Sequence, residues 1–464
     1  MPTHNLPSEI FKAYDIRGIV GKTLTFEGVN MIGQAIGRLI DEKNLNNPII
    51  CVGRDGRKSG EDIAKSLIDG LQNSTKIEVV NIGQVTTPLL YFAAIKKSQG
   101  TGIMVTGSHN PPEYNGLKIM ISGNTLSGNE IQEIYKIAKN LKSKSNTDKT
   151  TTNLSFDEAY EREIVGQIKV KRKMKIAIDC GNGIAGKYAA RVFEGIGCDV
   201  EELYCEVDGD FPNHHPDPSR PENLTDLISL LKKSDAEIGL AFDGDGDRLG
   251  VVTKSGEIIY PDRQLMLLAK DVLSRNPGAD IIYDVKCSSL LEKWIKKYGG
   301  NPVMYKTGHS LIKKKMRQTS SPLSGEMSGH IFFKEDWFGF DDGIYAGARL
   351  LQVLSKGPDA TKTLNSLPNS INTPELQIPL KEGENYAFIA KLKKTNKLQR
   401  AEKMITIDGL RAEYAFGFGL ARASNTTPVI VLRFEANNHK SLDIIQDEFR
   451  EALLEVNPTI LIPF

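Results

Sequence analysis

Short apolar runs that end on polar, often glycine-rich turns recur along this chain. Ile49-Ile50-Cys51-Val52 closes on Gly53-Arg54-Asp55-Gly56, Ile176-Ala177-Ile178-Asp179-Cys180 on Gly181-Asn182-Gly183, and Ile281-Ile282-Tyr283-Asp284-Val285 on Lys286-Cys287. β-Branched runs of this length predict strands. Helical sequence follows each, from about Glu61, from Ala185 to Gly195 and through Leu290, Leu291 and Trp294. Ser59, with Asp62 three residues on, has the form of a capping box for the first. Each unit then reaches a second strand and a polar loop. The pattern predicts three related α/β units with mixed, largely parallel sheets, whose equivalent loops converge on one cleft. Beyond about 367 the character changes. Runs from Tyr414 to Phe418 and from Val429 to Phe434 read as strands, and Leu442, Ile445, Phe449, Leu453 and Val456 share one face of a terminal helix. This last unit reads as α+β. Polar stretches at 142–152, near 255 and at 367–374 place the boundaries at 1–150, 151–255, 256–367 and 368–464.

Bulk properties remove several classes of function. The chain has 464 residues and a formal net charge of +1, which gives no electrostatic case for a nucleic-acid partner. No apolar run approaches a membrane span, and the first twelve residues lack a signal pattern. Five cysteines without CxxC spacing fit a reducing cytoplasm, with Cys51, Cys180 and Cys287 expected to be buried thiols.

The loops carry the chemistry. The first, TGSHNPPEYNGLK over 106–118, holds the Ser108 hydroxyl on a rigid tip between two strands, with an imidazole beside it and the Lys118 ammonium. There Gly107 is expected to free the backbone next to Ser108, and Pro111-Pro112 to stiffen the exit. The second, DGDGDR, alternates Asp243, Asp245 and Asp247 with glycines, so that three carboxylates turn toward one point. Their mutual repulsion is relieved by a hard divalent cation with oxygen ligands. An EF-hand is excluded, because Arg248 stands where that loop needs glycine and Lys254 where it needs glutamate. Arg248 is placed to bind an anion or offset the negative charge. The third loop, GEMSGH, presents Glu326, Ser328 and His330 as partners for sugar hydroxyls, and Lys306-Thr307-Gly308-His309 adds a second histidine. In the last unit Arg422, Ser424, Asn425 and Thr426, with free backbone N–H groups, have the chemistry of a phosphate cradle.

The ordered motifs TGSHNPPEYNGLK, DGDGDR, GEMSGH and RASNTTP resemble the α-D-phosphohexomutase superfamily, nearest its bacterial bifunctional phosphomannomutase/phosphoglucomutase group. Gly107 and Met327 separate them from the phosphoglucosamine mutases. The resemblance spans the chain and implies three α/β domains and a C-terminal TATA-binding-protein-like domain in a heart shape. It implies a phosphoserine at Ser108, one magnesium held by that group with Asp243, Asp245 and Asp247, and a hexose 1,6-bisphosphate that turns end for end. Hexose 1-phosphates and 6-phosphates are the implied partners, hexose 1,6-bisphosphate the activator, and a monomer the expected state. His330, His309, Lys118 and Arg17 become candidates for proton transfer and transition-state contacts, with Tyr14 and Lys286 as further cleft residues. A metal-dependent phosphatase has little use for a second phosphate grip at Arg422. A non-catalytic sensor would be expected to lack part of this set.

Overall fold

The computed structural model describes residues 6–43, 48–73, 77–144, 151–381, 383–425 and 427–464. Four sheets are present, and the first three repeat one plan. In the first, strands Glu78–Gln84, Ile49–Arg54 and Gly102–Val105 are parallel neighbours, and Tyr114–Ile121 runs antiparallel beside the last. The second sheet orders Cys198–Leu203, Met174–Asp179, Ile238–Phe242 and Leu249–Thr253 in the same way. So does the third, with Asn301–Tyr305, Asp280–Asp284, Leu323–Gly325 and Ile331–Phe333. In every case the last parallel strand turns back through a hairpin, and those three hairpins are the loops at Ser108, Asp243–Asp247 and Glu326–His330. Parallel strands need a helical crossover, so helices such as Gly60–Leu71, Ala189–Ile196 and Ser289–Lys297 pack beside the sheets.

The first sheet is extended on both sides. Ile16–Ile19 pairs antiparallel with Tyr114–Ile121 and sets Arg17 opposite Gly116. Thr152–Asn153 pairs with Glu78–Gln84, beyond the boundary drawn at 150. The polar stretch 145–150 lies outside the described residues.

The fourth unit is an antiparallel sheet in the order Ile371–Asn372, Val429–Ala436, Gly417–Ala423, Leu410–Tyr414 and Lys403–Ile405, with Leu376–Pro379 also on Val429–Ala436. Helices Glu384–Leu392 and His439–Val456 supply its core through Phe388, Leu392, Ile445, Phe449 and Leu453. The run from Tyr414 to Phe418, expected as a strand, is instead the turn joining Leu410–Tyr414 to Gly417–Ala423. Its aromatic residues mimic a strand, but Tyr414 pairs directly with Gly417, so the chain reverses there. The other side of this sheet meets the third unit, where Phe418 and Leu420 pack on Val285.

At 464 residues the chain is too long for one core, and several are present. The largest runs through three of the units, from Phe92 through Phe193 to Trp337 and Tyr345. The Ser59 cap is also absent: Ser59 adopts helical angles, and its Oγ accepts from Asn115 Nδ2 at 3.0 Å. A tertiary partner has taken the hydroxyl. Among the described residues no helix is long and apolar enough to cross a membrane.

Candidate active site

The Ser108 hairpin connects Gly102–Val105 to Tyr114–Ile121, so Lys118 lies on a strand rather than in the loop. Ser108 itself takes the left-handed backbone, at φ +49°. Gly107 does not; it is needed for space, since a Cβ there would lie 2.5 Å from the Arg57 guanidinium. Ser108 Oγ donates to Asp243 Oδ2 at 3.0 Å and stands 3.1 Å from His109 Nδ1. Burial, with Arg248 and Arg17 nearby, holds His109 well below its usual range, hence neutral.

Asp243, Asp245 and Asp247 bring one oxygen each within 4.8 Å of one another, all buried. Asp243 Oδ1 accepts the backbone N–H groups of Asp247 and Arg248, both at 3.1 Å. Asp245 Oδ2 accepts from Thr87 Oγ1 at 2.6 Å and Lys118 Nζ at 2.7 Å, and Lys118 also reaches Asp247 Oδ2 at 2.5 Å. Asp245 Oδ1 and Asp247 Oδ1 accept no hydrogen bond among the described residues. Burial and the other two carboxylates push Asp243 well above the usual carboxylate range. Burial acts the same way on Asp245, but the Lys118 ammonium outweighs it and holds that carboxyl low. The cluster is short of positive charge and has buried oxygens to spare, which fits a metal ion.

The loops meet by backbone contact. A Cβ on Gly244 would stand 2.4 Å from the Ser108 carbonyl oxygen. Arg248 pairs with His330 in an isolated antiparallel bridge, and its Nε donates to His330 Nε2 at 3.1 Å. It also lies 3.7 Å from Asp217 and 3.8 Å from Asp243, so it offsets local negative charge as expected.

His309 and His330 stack at 5.6 Å between ring centroids, and Tyr14 lies edge-on to His309 at 5.0 Å. Neither ring nitrogen of His309 has a hydrogen-bond partner among the described residues. Burial and Lys313 hold His309 well below its usual range. Glu326 Oε1 accepts the Gly308 N–H at 2.5 Å, and burial pushes its carboxyl up to about 7. Lys286 Nζ donates to Glu375 at 2.9 Å, Arg17 bridges Asp15 and Asn110 at 2.5 Å each, and Arg422 Nε meets Asp408 at 3.0 Å.

One cleft of about 650 Å³ is lined by residues of all four units, among them Tyr14, Arg17, Ser108, Arg248, Ser328 and Arg422. Lys118, Lys286, His309, Glu326, His330, Ser424 and Asn425 line it as well. Thr426 lies outside the described residues. The expected free N–H groups of the cradle are partly used: Ser424 N–H donates to the Val429 carbonyl at 3.0 Å, and Thr427 N–H to Ser424 Oγ at 3.3 Å.

Motif reading overlooks Asp341, Lys313, Asp217 and Arg57. Asp341 Oδ2 is 3.1 Å from His330 Nδ1 while its other oxygen takes Lys313 Nζ at 2.8 Å. Asp341-Asp342 follows an aromatic stretch with no motif around it, so only their long-range partners reveal them.

Profiles of the phosphoglucomutase/phosphomannomutase α/β/α domains I, II and III and of the C-terminal domain match residues 8–145, 157–256, 260–371 and 375–452. A phosphoglucomutase of Neisseria meningitidis serogroup A is 55% identical over 461 residues, 99% of this chain and 99% of that protein. A phosphomannomutase/phosphoglucomutase of Pseudomonas aeruginosa is 51% identical over 461 residues, 99% and 98% of the two chains. The crystal structure of a phosphoglucomutase/phosphomannomutase family protein from Burkholderia thailandensis superposes with a TM-score of 0.92 at 50% identity, covering 99% of this chain and 100% of that one. With four ordered loops of matching chemistry on one cleft, the chain belongs to the phosphoglucomutase/phosphomannomutase family, mutases that interconvert hexose 1-phosphates and hexose 6-phosphates.

Proposed function

We propose that Ser108 is the phosphoryl carrier of this mutase, and that mannose and glucose phosphates are both turned over in the one cleft. The observation that carries this is the placement of Ser108 Oγ 3.0 Å from Asp243, beside two buried carboxylate oxygens that accept no hydrogen bond among the described residues, and on the wall of the cleft that Arg422 also lines. The units at 1–150, 151–255, 256–367 and 368–464 then supply phosphoserine, metal loop, sugar loop and phosphate grip in turn. Asp243, Asp245 and Asp247, with an oxygen of the phosphoserine, would hold one magnesium, which when bound neutralises charge on the transferring phosphoryl.

The chain's own residues do the rest. Hexose 1,6-bisphosphate is the activator that loads Ser108. In the first transfer the bond from phosphorus to the Ser108 oxygen breaks as one forms to a sugar hydroxyl oxygen, whose proton leaves through the imidazole pair His309 and His330 while Ser108 Oγ regains a proton. After the bisphosphate turns end for end, the bond from its other phosphorus to the sugar oxygen breaks as one forms to Ser108 Oγ, and the proton moves the opposite way. Lys118 and Arg17, on adjacent strands, add positive charge where the phosphoryl moves. Glu326 and Ser328 take sugar hydroxyls, and Tyr14, Lys286 and Arg248 line their surroundings. Arg422, Ser424, Asn425 and Thr426 grip the phosphate that is not reacting. The site is complete within one chain, which supports a monomer, and five unpaired thiols suit the cytoplasm.

Intact mass after incubation with glucose 1,6-bisphosphate tests the carrier. One added phosphate mapped to the Ser108 peptide is expected, with loss of mutase activity in Ser108→Ala. Label on another residue, or full activity in that variant, overturns the reading.

A further inference from the structure

The turn that ends the first parallel strand, 53–57, does not line the cleft, yet it carries a guanidinium with no solvent exposure. All five N–H donors of Arg57 are matched. Nε meets Asp55 Oδ2 at 3.3 Å. Nη1 donates to the carbonyls of Pro111 at 2.6 Å and Tyr114 at 2.9 Å, and Nη2 to those of Ser108 at 2.8 Å and Asn110 at 2.5 Å. One side chain thus spans the whole Ser108 loop from behind. Asp55 braces the entry: its Oδ2 accepts from Thr106 Oγ1 at 2.7 Å and the Gly107 N–H at 3.3 Å. Thr106 Oγ1 in turn accepts the Ser108 N–H at 2.8 Å. Both backbone polar groups of Ser108 are therefore tied to this turn.

Such bracing matters because Ser108 is left-handed, at φ +49°, a conformation that an L residue keeps only when its surroundings over-determine it. Gly107 leaves the room the guanidinium needs. The second unit closes the far side, with the Phe211 ring 5.2 Å from the guanidinium carbon and Gly209 against the Arg57 Cα. Lysine could not substitute, since a single nitrogen with three donors cannot reach four carbonyls fanned around a planar fork.

We propose that Arg57, oriented by Asp55, is a positioning residue for phosphoryl transfer: it holds the left-handed backbone at Ser108 so that Oγ faces the acidic cluster. The inference rests on the reading of Ser108 as the phosphoryl carrier.

The test compares Arg57→Ala, Arg57→Lys and Gly107→Ala with wild type. Three quantities are measured: the rate of Ser108 labelling by radiolabelled glucose 1,6-bisphosphate, kcat, and the Kd of glucose 6-phosphate by calorimetry. Displacing a reacting atom by about 1 Å costs about a hundredfold, so labelling and kcat are expected to fall by that factor in all three variants. The Kd should stay within about twofold, because the sugar and phosphate grips are untouched. Methylguanidinium should restore labelling in Arg57→Ala but not in Gly107→Ala, where Arg57 is still present. If Arg57→Ala does not fold, the other two variants decide by the same readouts. Normal labelling rates in the variants, or a Kd that rises in step with the loss of kcat, overturn the proposal. Wild-type label on another residue overturns both this inference and the carrier reading, whereas wild-type label on Ser108 with unaffected variants overturns this inference alone.

Discussion

Asp342 shows how a buried carboxyl beside the site couples folding to pH. It caps the helix Gly343–Leu354 by accepting the Tyr345 N–H at 2.9 Å, and the Tyr160 hydroxyl donates to it at 2.9 Å. Burial, with Asp341 adjacent, pushes it up to about 7. An unfolded aspartate titrates near about 3.9, so the folded state retains a proton that the unfolded state has lost. That contribution to stability is fully present below about pH 3.9 and is lost as pH rises through about 7. We predict that Asp342→Asn, which keeps the cap acceptor without the charge, gains stability relative to wild type by about 3 kcal/mol between pH 5 and pH 8. Melting temperatures of both proteins at the two pH values check this, and a constant difference would refute it. Residue by residue, the motifs alone pick out many of the side chains that the fold brings to one cleft. They misassign Gly107, because spacing cannot distinguish a glycine needed for φ from one needed for room.

At the scale of elements, the repeated hairpin explains why loops far apart in the sequence come to one cleft. Each one leaves the same strand edge of an equivalent sheet, so similar packing of the units turns all three toward one cleft. The strands and most helices are legible because apolar runs and periodic faces are local signals. The Ser59 cap and the strand from Tyr414 to Phe418 are misread, since a tertiary acceptor and a two-residue turn override local preference. Contact between the serine and acidic loops is close where Gly244 meets Ser108. A methyl group at Gly244 would sit 2.4 Å from a backbone oxygen that cannot swing aside. We predict that Gly244→Ala destabilises the protein by about 1–3 kcal/mol through overpacking. It should lower kcat about a hundredfold by separating serine and metal loops. Thermal melting and steady-state kinetics check both, and an unchanged kcat would show that the two loops need not touch.

For the whole molecule, the question is how the fourth unit would hold one end of a substrate whose other end reacts at Ser108, as proposed. It is fixed to the third unit by buried cations. Arg411 Nη1 donates to the carbonyls of Val285 and Cys287, both at 2.6 Å, and its guanidinium lies 3.6 Å from the Phe418 ring centroid. Arg433 adds a hydrogen bond to the Lys286 carbonyl. Arg422 keeps Nη2 unpartnered among the described residues while Asp408 holds its Nε. A charge-assisted contact contributes about 1.5–3 kcal/mol. Arg422→Ala is therefore expected to lower kcat/KM by roughly ten- to a hundredfold in both directions, and to increase escape of free 1,6-bisphosphate. Forward and reverse kinetics with an assay for released bisphosphate test it, and a defect in one direction alone would show that the grip serves one orientation.

Local sequence determined the three strand-and-hairpin units, the serine tip, the run of three carboxylates and the polar loop around Arg422, because apolar alternation and dense polar loops act over a few residues. Tertiary structure decided which distant groups complete them. Arg57 reaches four carbonyls of the Ser108 loop, Lys118 crosses to Asp245 and Asp247, and Asp341 comes to lie against His330. Those pairings span from 11 to 129 positions, and each is chosen by how sheets pack and by the need of a buried charge for a partner, which no local motif encodes.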